Sequence, residues 1–299
     1  MVWSVTWSVT WSVTTRALPA VCAAVIGLAA CGGGDGDDPA GAGPVEVVAA
    51  FAPLAEAVRQ VGGDAVEVTD LTPAGAEPHD LELTPGQVDD LEDGDLVVAM
   101  GEDFQPALEE IAGRRAEDDT LFLLDELPLE ADDADEIDPH VWLDPVLMQE
   151  IVSAVADALA RVDPERAATY AANAEQYSAE IAKLDAEYRQ GLSDCDRTQI
   201  VTAHAAFGRL ARRYGIEQHA IAGIAPDEEP SADRIAELAD LAERDGVTTI
   251  FTETLVSPRV AETLAREAGG LETATLNPLE GLSDDENDAG ADYLSVMRD

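Results

Sequence analysis

The sequence predicts an α/β protein of two similar lobes, each a four-stranded, mainly parallel sheet flanked by helices, joined by one long connecting helix. Three observations lead there. From Val45 onward, short apolar runs alternate with stretches of helical periodicity, the pattern of strand–helix–strand units. The runs number eight, four on each side of residues 164–192. That segment reads as one helix of about 27 residues, roughly 40 Å at 1.5 Å per residue, which suits a link between bodies better than the inside of a small one.

The elements follow in chain order. In the first half Val45–Phe51, Ala65–Asp70, Asp95–Met100 and Thr120–Leu124 have the length of buried strands. In the second half Gln199–Ala203, Ile216–Ile221, Val247–Thr252 and Leu271–Leu276 do the same. Thr84-Pro85, Asp144-Pro145, Asp163-Pro164 and Ser257-Pro258 each set a capping residue before a proline at the first helical position. Gly215, Gly246 and Gly269 fall where helices should stop. Along the long segment, Tyr170, Ala174, Tyr177, Ile181, Leu184 and Tyr188 supply one apolar side. The lobes are expected at 45–160 and 193–299 with 161–192 between them. No Gly/Ser hinge interrupts the link, so wide hinge motion is not expected.

The chain has 299 residues, with 62 acidic against 17 basic side chains and a formal charge of −45. Such a charge repels phosphate, so binding to nucleic acid and to anionic surfaces is disfavoured, whereas small cations are drawn in. Its hydrophobic content of 46% supports real cores. At the amino terminus WSVT occurs three times, at Trp3, Trp7 and Trp11, a repeat too short for a core of its own. Arg16 then precedes a mostly apolar run of 14 residues, Ala17 to Ala30. That is short of the about 20 residues needed to span a bilayer, and it suits a secretory signal. The run ends in Leu28-Ala29-Ala30-Cys31 followed by three glycines, which resembles the lipobox of bacterial lipoproteins. On this reading residues 1–30 are a signal peptide, Cys31 is the lipidated first residue of the mature chain, and residues 31–44 are a flexible acidic linker. Cys22 leaves with the signal and Cys31 is acylated, so Cys195 has no partner for a disulfide within the chain.

The four histidines are His79, His140, His204 and His219. The first three follow the second, fourth and fifth predicted strands, at the carboxyl ends where open α/β sheets place ligands. Two belong to one lobe and one to the other, so they can converge across a cleft. Neutral imidazole is the commonest nitrogen ligand for transition metals, and three of them suit zinc. Ligands 61 and 64 residues apart form no local metal motif, and three unrelated loop histidines fit the spacing equally well. His219 lies in or beside a strand and reads as structural.

The words around these histidines carry more. EPHDLELTP at His79, DPHVWLDP at His140 and VTAHAAFG at His204, with Gly101–Phe104, Ile250–Thr254 and Leu276–Glu280, together resemble the metal-binding lipoproteins of bacterial ABC importers, the ZnuA/TroA-type cluster of zinc and manganese substrate-binding proteins. The resemblance covers Val45 to Asp299. It implies a monomer of two lobes joined by a long helix, anchored by lipid outside the cytoplasmic membrane, which captures a transition-metal ion and delivers it to an ABC permease. His79, His140 and His204 match the family's histidine ligands. Manganese-type members tend to carry a carboxylate at the third position, so His204 implies zinc over manganese, in keeping with the preference of imidazole for zinc. Many relatives have Asp where Asn277 stands. Glu280 resembles the glutamate some zinc-binding relatives use and is the expected fourth ligand, with Glu253 or water in reserve. Some relatives place Glu directly before the first histidine, where this chain has Pro78. Asp80, Asp138 and Asp144 are expected either to orient imidazoles or to cap helices.

Residues 125–138 hold eight acids and no histidine, where relatives often carry a His-rich acidic loop. Relatives also continue past a segment like Tyr293–Asp299 into a further helix, some with a cysteine that pairs with one placed like Cys195, so the last helix is expected to be short. Other classes fare worse. A zinc hydrolase would share three histidines and an open position, but HExxH and GxSxG are absent, as is a GxxxxGK[ST] loop for ATP. A surface adhesin, a role assigned to some relatives, would need an exposed apolar patch. No catalysis is expected.

Overall fold

The structure, a computed structural model, describes residues 43–129 and 137–299. The signal, the linker, Cys31 and much of the acidic loop lie outside the described residues. The first lobe comprises β1 (Val45–Ala49), α1 (Ala52–Gly62), β2 (Val66–Asp70), α2 (Pro85–Asp93), β3 (Leu96–Ala99), α3 (Pro106–Ala112), β4 (Thr120–Phe122) and α4 (Leu123–Glu126). Two long helices follow, α5 (Pro145–Val162) and α6 (Ala167–Leu192). The second lobe contains β5 (Gln199–Thr202), α7 (Gly208–Arg213), β6 (Glu217–Ala220), α8 (Ala232–Asp245), β7 (Thr249–Thr252), α9 (Arg259–Glu267) and β8 (Glu272–Thr275). The chain closes with α10 (Asp284–Asp288) and α11 (Tyr293–Arg298).

Both sheets are parallel throughout and share one topology. Their strand orders are β2-β1-β3-β4 and β6-β5-β7-β8, so the second lobe repeats the first. Every predicted strand is present, trimmed by a residue or two where the chain turns into the next element. Phe51 ends the first apolar run but stands as the N-cap of α1, and Leu123 and Leu124 open α4.

Helix starts divide by what the capping side chain does. Thr84 and Gln87 form a reciprocal capping box, and Asp144 accepts from the N–H groups of Val146 and Leu147. Asp163 does neither. Its carboxylate is taken by Arg166 and the Tyr170 hydroxyl, both at 2.6 Å, and a 3-10 turn over Pro164–Arg166 precedes α6. Ser257 is not a cap either, because the helical Pro258 occupies the capping position of α9 and has no side-chain oxygen to offer. Gly246 closes α8 in the left-handed region at φ 67°, which a residue with a Cβ adopts only under strain.

The larger core lies in the first lobe and extends through α5 and α6. The buried face of α6 is Tyr170, Ala174, Tyr177, Ile181 and Leu184, the predicted stripe, and it packs along α1 and α5. The second sheet has a smaller core around Val201, Leu238, Ile250 and Leu264. Segments of the second half cross over to the first core: Phe207 and Leu210 from the region of α7, then Leu279, Tyr293 and Met297 from the closing segment. The Tyr293 hydroxyl donates to the Trp142 carbonyl at 2.8 Å, and Trp142 Nε1 donates to the Pro278 carbonyl at 2.8 Å. These buried crossings hold the loops of the two sheets against each other, and residues 43–299 form one compact unit.

Candidate metal centre

Three loops that leave the carboxyl ends of strands, and one that follows α4, converge. His79 comes from the loop after β2, His140 from the stretch between α4 and α5, His204 from the end of β5 and Glu280 from the loop after β8. Glu280 Oε1 lies 3.0 Å from His204 Nε2, 3.2 Å from His140 Nε2 and 3.6 Å from His79 Nε2, and the His140 and His204 Nε2 atoms are 3.4 Å apart. All four donor atoms fall within 4.8 Å of one another, and among the described residues this is the one such group of His, Cys, Asp and Glu. A tetrahedral zinc with arms of about 2.0 Å needs donors about 3.3 Å apart. The donor atoms of His140, His204 and Glu280 stand close to that spacing, and His79 is farther out, 3.6 Å from Glu280.

Each buried imidazole is oriented from behind. His140 Nδ1 donates to Asp138 Oδ1 at 2.8 Å, and His204 Nδ1 donates to Glu253 Oε2 at 2.6 Å. A carboxylate only accepts, so each ring carries a proton on Nδ1, and Nε2, which faces the centre, is the atom that can give up its proton and present a lone pair to a cation. The same two acids also accept the backbone N–H of their histidines, at 3.0 Å in both cases. The β5–β7 register places Thr202 beside Phe251, so His204 and Glu253 emerge two residues later from adjacent strand ends. His79 Nε2 is buried without a hydrogen bond, with Glu280 Oε1 3.6 Å away, and its ring packs on Phe104 with centroids 4.4 Å apart. A buried imidazole nitrogen that makes no hydrogen bond and is aimed at a carboxylate suits the role of a metal ligand.

Asn277 acts through the backbone. Its Oδ1 accepts from the Leu279 N–H at 2.8 Å and its amide donates to Glu286. This turn holds Leu279 at φ 53°, a left-handed conformation costing a non-glycine residue about 1–2 kcal/mol. Burial of the Leu279 side chain in the main core offsets that cost, and Glu280 is turned inward as a result.

The charges in the centre are mutually dependent. Burial alone would raise the Glu280 carboxyl, but the surrounding imidazoles of His140, His204 and His79 hold it well below the ordinary carboxylate range. Burial would likewise depress His204, yet its bonds to Glu253 and Glu280 push it up to about 10. His140 is raised for the same reason, by Asp138 and Glu280. Glu77 moves the other way: burial first, then repulsion from Glu280, lift it to about 8, and both its oxygens are buried without a partner.

The structure brings His79, His140, His204 and Glu280 together and gives Glu253 and Asn277 other partners. Glu253 stands behind His204, and Asn277 shapes a turn. Asp138 orients His140, Asp144 caps α5, and Asp80 is exposed beside His79. His219 sits within β6, paired with Val201. Cys195 is free and exposed. Sequence reasoning passed over Arg209, which donates to the Asp138 carbonyl at 2.8 Å. A contact between residues 71 apart in the chain leaves no periodic trace.

Two parallel-sheet lobes with a buried His3Glu centre between them define a metal-ion-binding protein of the substrate-binding type. The chain belongs to the family described as zinc-uptake complex component A, periplasmic, which it matches over residues 47–299. It is 35% identical over 289 residues to the high-affinity zinc uptake system protein ZnuA of Bacillus subtilis, an alignment covering 91% of this chain and 90% of that protein. It is 36% identical over 271 residues to the zinc-binding lipoprotein AdcA of Streptococcus pneumoniae, covering 85% of this chain but 54% of AdcA, so it spans about half of that longer protein. The Zn(II)-bound ZnuA-like domain of AdcA superposes with a TM-score of 0.74 at 36% identity, over 86% of this chain and 96% of the domain. The laminin-binding protein Lmb of Streptococcus agalactiae, described as bifunctional with adhesin and metal-transporting activity, superposes with a TM-score of 0.77 at 30% identity, over 85% and 95% of the two chains. The relatives are uptake and binding proteins rather than enzymes.

Glu253→Gln would keep an oxygen for the His204 backbone N–H but present an NH2 to Nδ1. That forces the ring proton onto Nε2, where it blocks the lone pair. Competitive titration against a zinc-chelating dye should show an affinity loss of about 10- to 100-fold. A second expectation concerns pH. Metal-free His204 keeps its extra proton below about 10, whereas a bound cation needs Nε2 bare. Loading at pH 7 therefore releases protons, and affinity falls as pH falls, by about tenfold per pH unit for each proton released. Calorimetric titration in two buffers of different ionisation enthalpy measures that release, and a value of zero would contradict the protonation scheme.

Proposed function

We propose that this chain captures zinc outside the cytoplasmic membrane and delivers it to the membrane permease of an ABC importer, with His79, His140, His204 and Glu280 as the ligands. The observation that carries the reading is the convergence of three imidazole nitrogens and one carboxylate oxygen within 4.8 Å of one another in a buried site. Three nitrogens and one oxygen favour zinc. Manganese and magnesium prefer more oxygen donors and higher coordination numbers. The outer carboxylates of Asp138 and Glu253 add basicity to the imidazoles and fix their direction, the usual support of a zinc–histidine bond. A capture protein needs no general base and no open coordination position, and four protein donors fill a tetrahedral ion completely.

In this reading the chain works as a monomer, with lobes at 45–160 and 193–299 and the helix of 161–192 between them. The lipobox-like Leu28–Cys31 supports removal of residues 1–30 and attachment of lipid to Cys31. The acidic linker of residues 31–44 then leaves the lobes free to reach the permease. The large negative charge raises the local concentration of cations at low ionic strength. Delivery by loop movement at the centre fits the buried crossings between the sheets, which oppose wide opening.

Metal content and competitive titration of the soluble chain from Gly32 test the capture step. One zinc per chain should be retained against excess manganese and lost in His140→Ala; manganese preference would overturn the assignment of the ion, and no stoichiometric metal would overturn the site. Replacing Cys31 with Ser should move the protein from the membrane fraction to the soluble one after expression in a bacterial host with lipoprotein processing. Retention in the membrane fraction would refute the anchor.

A further inference from the structure

The chain segment that ends β5 does two things within six residues. It supplies His204, and after a 3-10 turn over Ala205–Phe207 it enters α7, which lies against the loop that carries His140. Arg209, the second residue of α7, is buried, and its Nε donates to the Asp138 carbonyl at 2.8 Å while lying 4.0 Å from Asp138 Oδ2. Asp138 Oδ1 meanwhile accepts from both the backbone and the ring of His140. One oxygen of this carboxylate is thus held by the first lobe and the other faces a guanidinium of the second. The approach is close: a Cβ added to Gly208 would fall 3.1 Å from Asp138 Oδ2. A second arginine, Arg213, spans the same two segments by gripping both oxygens of Asp144 at 2.7 and 2.6 Å. Asp144 caps α5 and touches no imidazole of the centre.

We propose that Arg209 is a positioning residue for the bound metal, acting through Asp138 to set the direction of His140 relative to His204 and thereby the rate at which metal leaves. The assignment rests on the reading of His79, His140, His204 and Glu280 as a metal centre. Guanidinium is a planar, always-charged fork, so it fixes a carbonyl and a carboxylate together where a flexible ammonium would not. Without it, Asp138 loses the charge that faces Oδ2 and the donor at its carbonyl. The carboxylate then keeps only its two bonds to His140 at Oδ1, with nothing from the second lobe to fix its angle, and the aim of Nε2 is less tightly set. A tetrahedral ion departs when one arm releases it. The arm whose support crosses between lobes is the one that movement of the loops reaches first.

Cobalt(II) serves as the probe, because its visible d–d absorption reports the geometry of its ligands. The full-length protein, Arg209→Met, Arg209→Lys and Arg213→Met are each loaded with one equivalent, and release is then followed after addition of a strong chelator. Arg209→Met is expected to shift the absorption bands and to release the ion about tenfold faster, the lower end of what losing an outer partner of a metal ligand costs. Arg209→Lys should fall between, since it keeps the charge but not the fork. Arg213→Met should match the unsubstituted protein in both readouts, although its metal-free thermal midpoint drops at least as far as that of Arg209→Met. Unchanged bands and release in Arg209→Met would overturn the assignment. Equal changes in Arg209→Met and Arg213→Met would also overturn it, by tracing the effect to general packing between the lobes. Failure of the unsubstituted protein to take up cobalt or zinc would instead refute the metal centre itself.

Discussion

Glu280 is 1% exposed, and burying a lone carboxylate that deeply costs several kcal/mol unless opposite charge or hydrogen bonds accompany it. Here the compensation comes from three imidazoles that lie within 3.6 Å of one oxygen. Two of the three belong to the first lobe and one to the second, so the carboxylate is satisfied only when both lobes are in place. The rest of the structure can be understood as the means of keeping these four groups together without letting them relax into separate hydrogen bonds.

Parallel sheets make that arrangement possible. Every strand delivers its carboxyl end to the same edge, so loops from four strands or their sequels reach one point. The duplicated strand order gives each lobe two such contributions: His79 and His140 from one, His204 and Glu280 from the other. Behind the ligands, Asp138 and Glu253 fix the imidazole tautomers, and both are tied to the backbone of the histidine they serve. The Asn277 turn gives Glu280 its direction at the expense of a left-handed leucine. The whole centre is thus assembled from carboxylates and amides that act on one another, with few groups left free to improvise.

Rigidity and charge then fit the function together. The stripe of α6 packs along the first lobe, while Tyr188 stacks on Tyr214 and its hydroxyl donates to the Met297 carbonyl, so the long helix touches both the second lobe and the closing segment. A formal charge of −45 draws cations toward the molecule, but exposed carboxylates bind divalent ions weakly and without geometric selection. Selection belongs to the buried nitrogens. Attraction at long range and discrimination at short range are therefore carried by different residues.

By itself the sequence determined the class of fold, the eight strands, the long helix and the three histidines, because each leaves a local mark: a run of apolar residues, a capping pair, or a word such as DPH that survives as a resemblance. Glu280 was legible in the same way, through the segment Leu276–Glu280. The partners of Glu253, Asn277 and Arg209 were decided only by the tertiary structure. Glu253 meets His204 because β7 lies beside β5 with Phe251 opposite Thr202, a register the sequence does not state. Asn277 offers an oxygen suited either to a metal or to a backbone N–H, and here it accepts the N–H of Leu279. Arg209 meets Asp138 across 71 residues and between lobes. A hydrogen bond fixes direction and distance in space, and only the packing of the two sheets places those partners within reach.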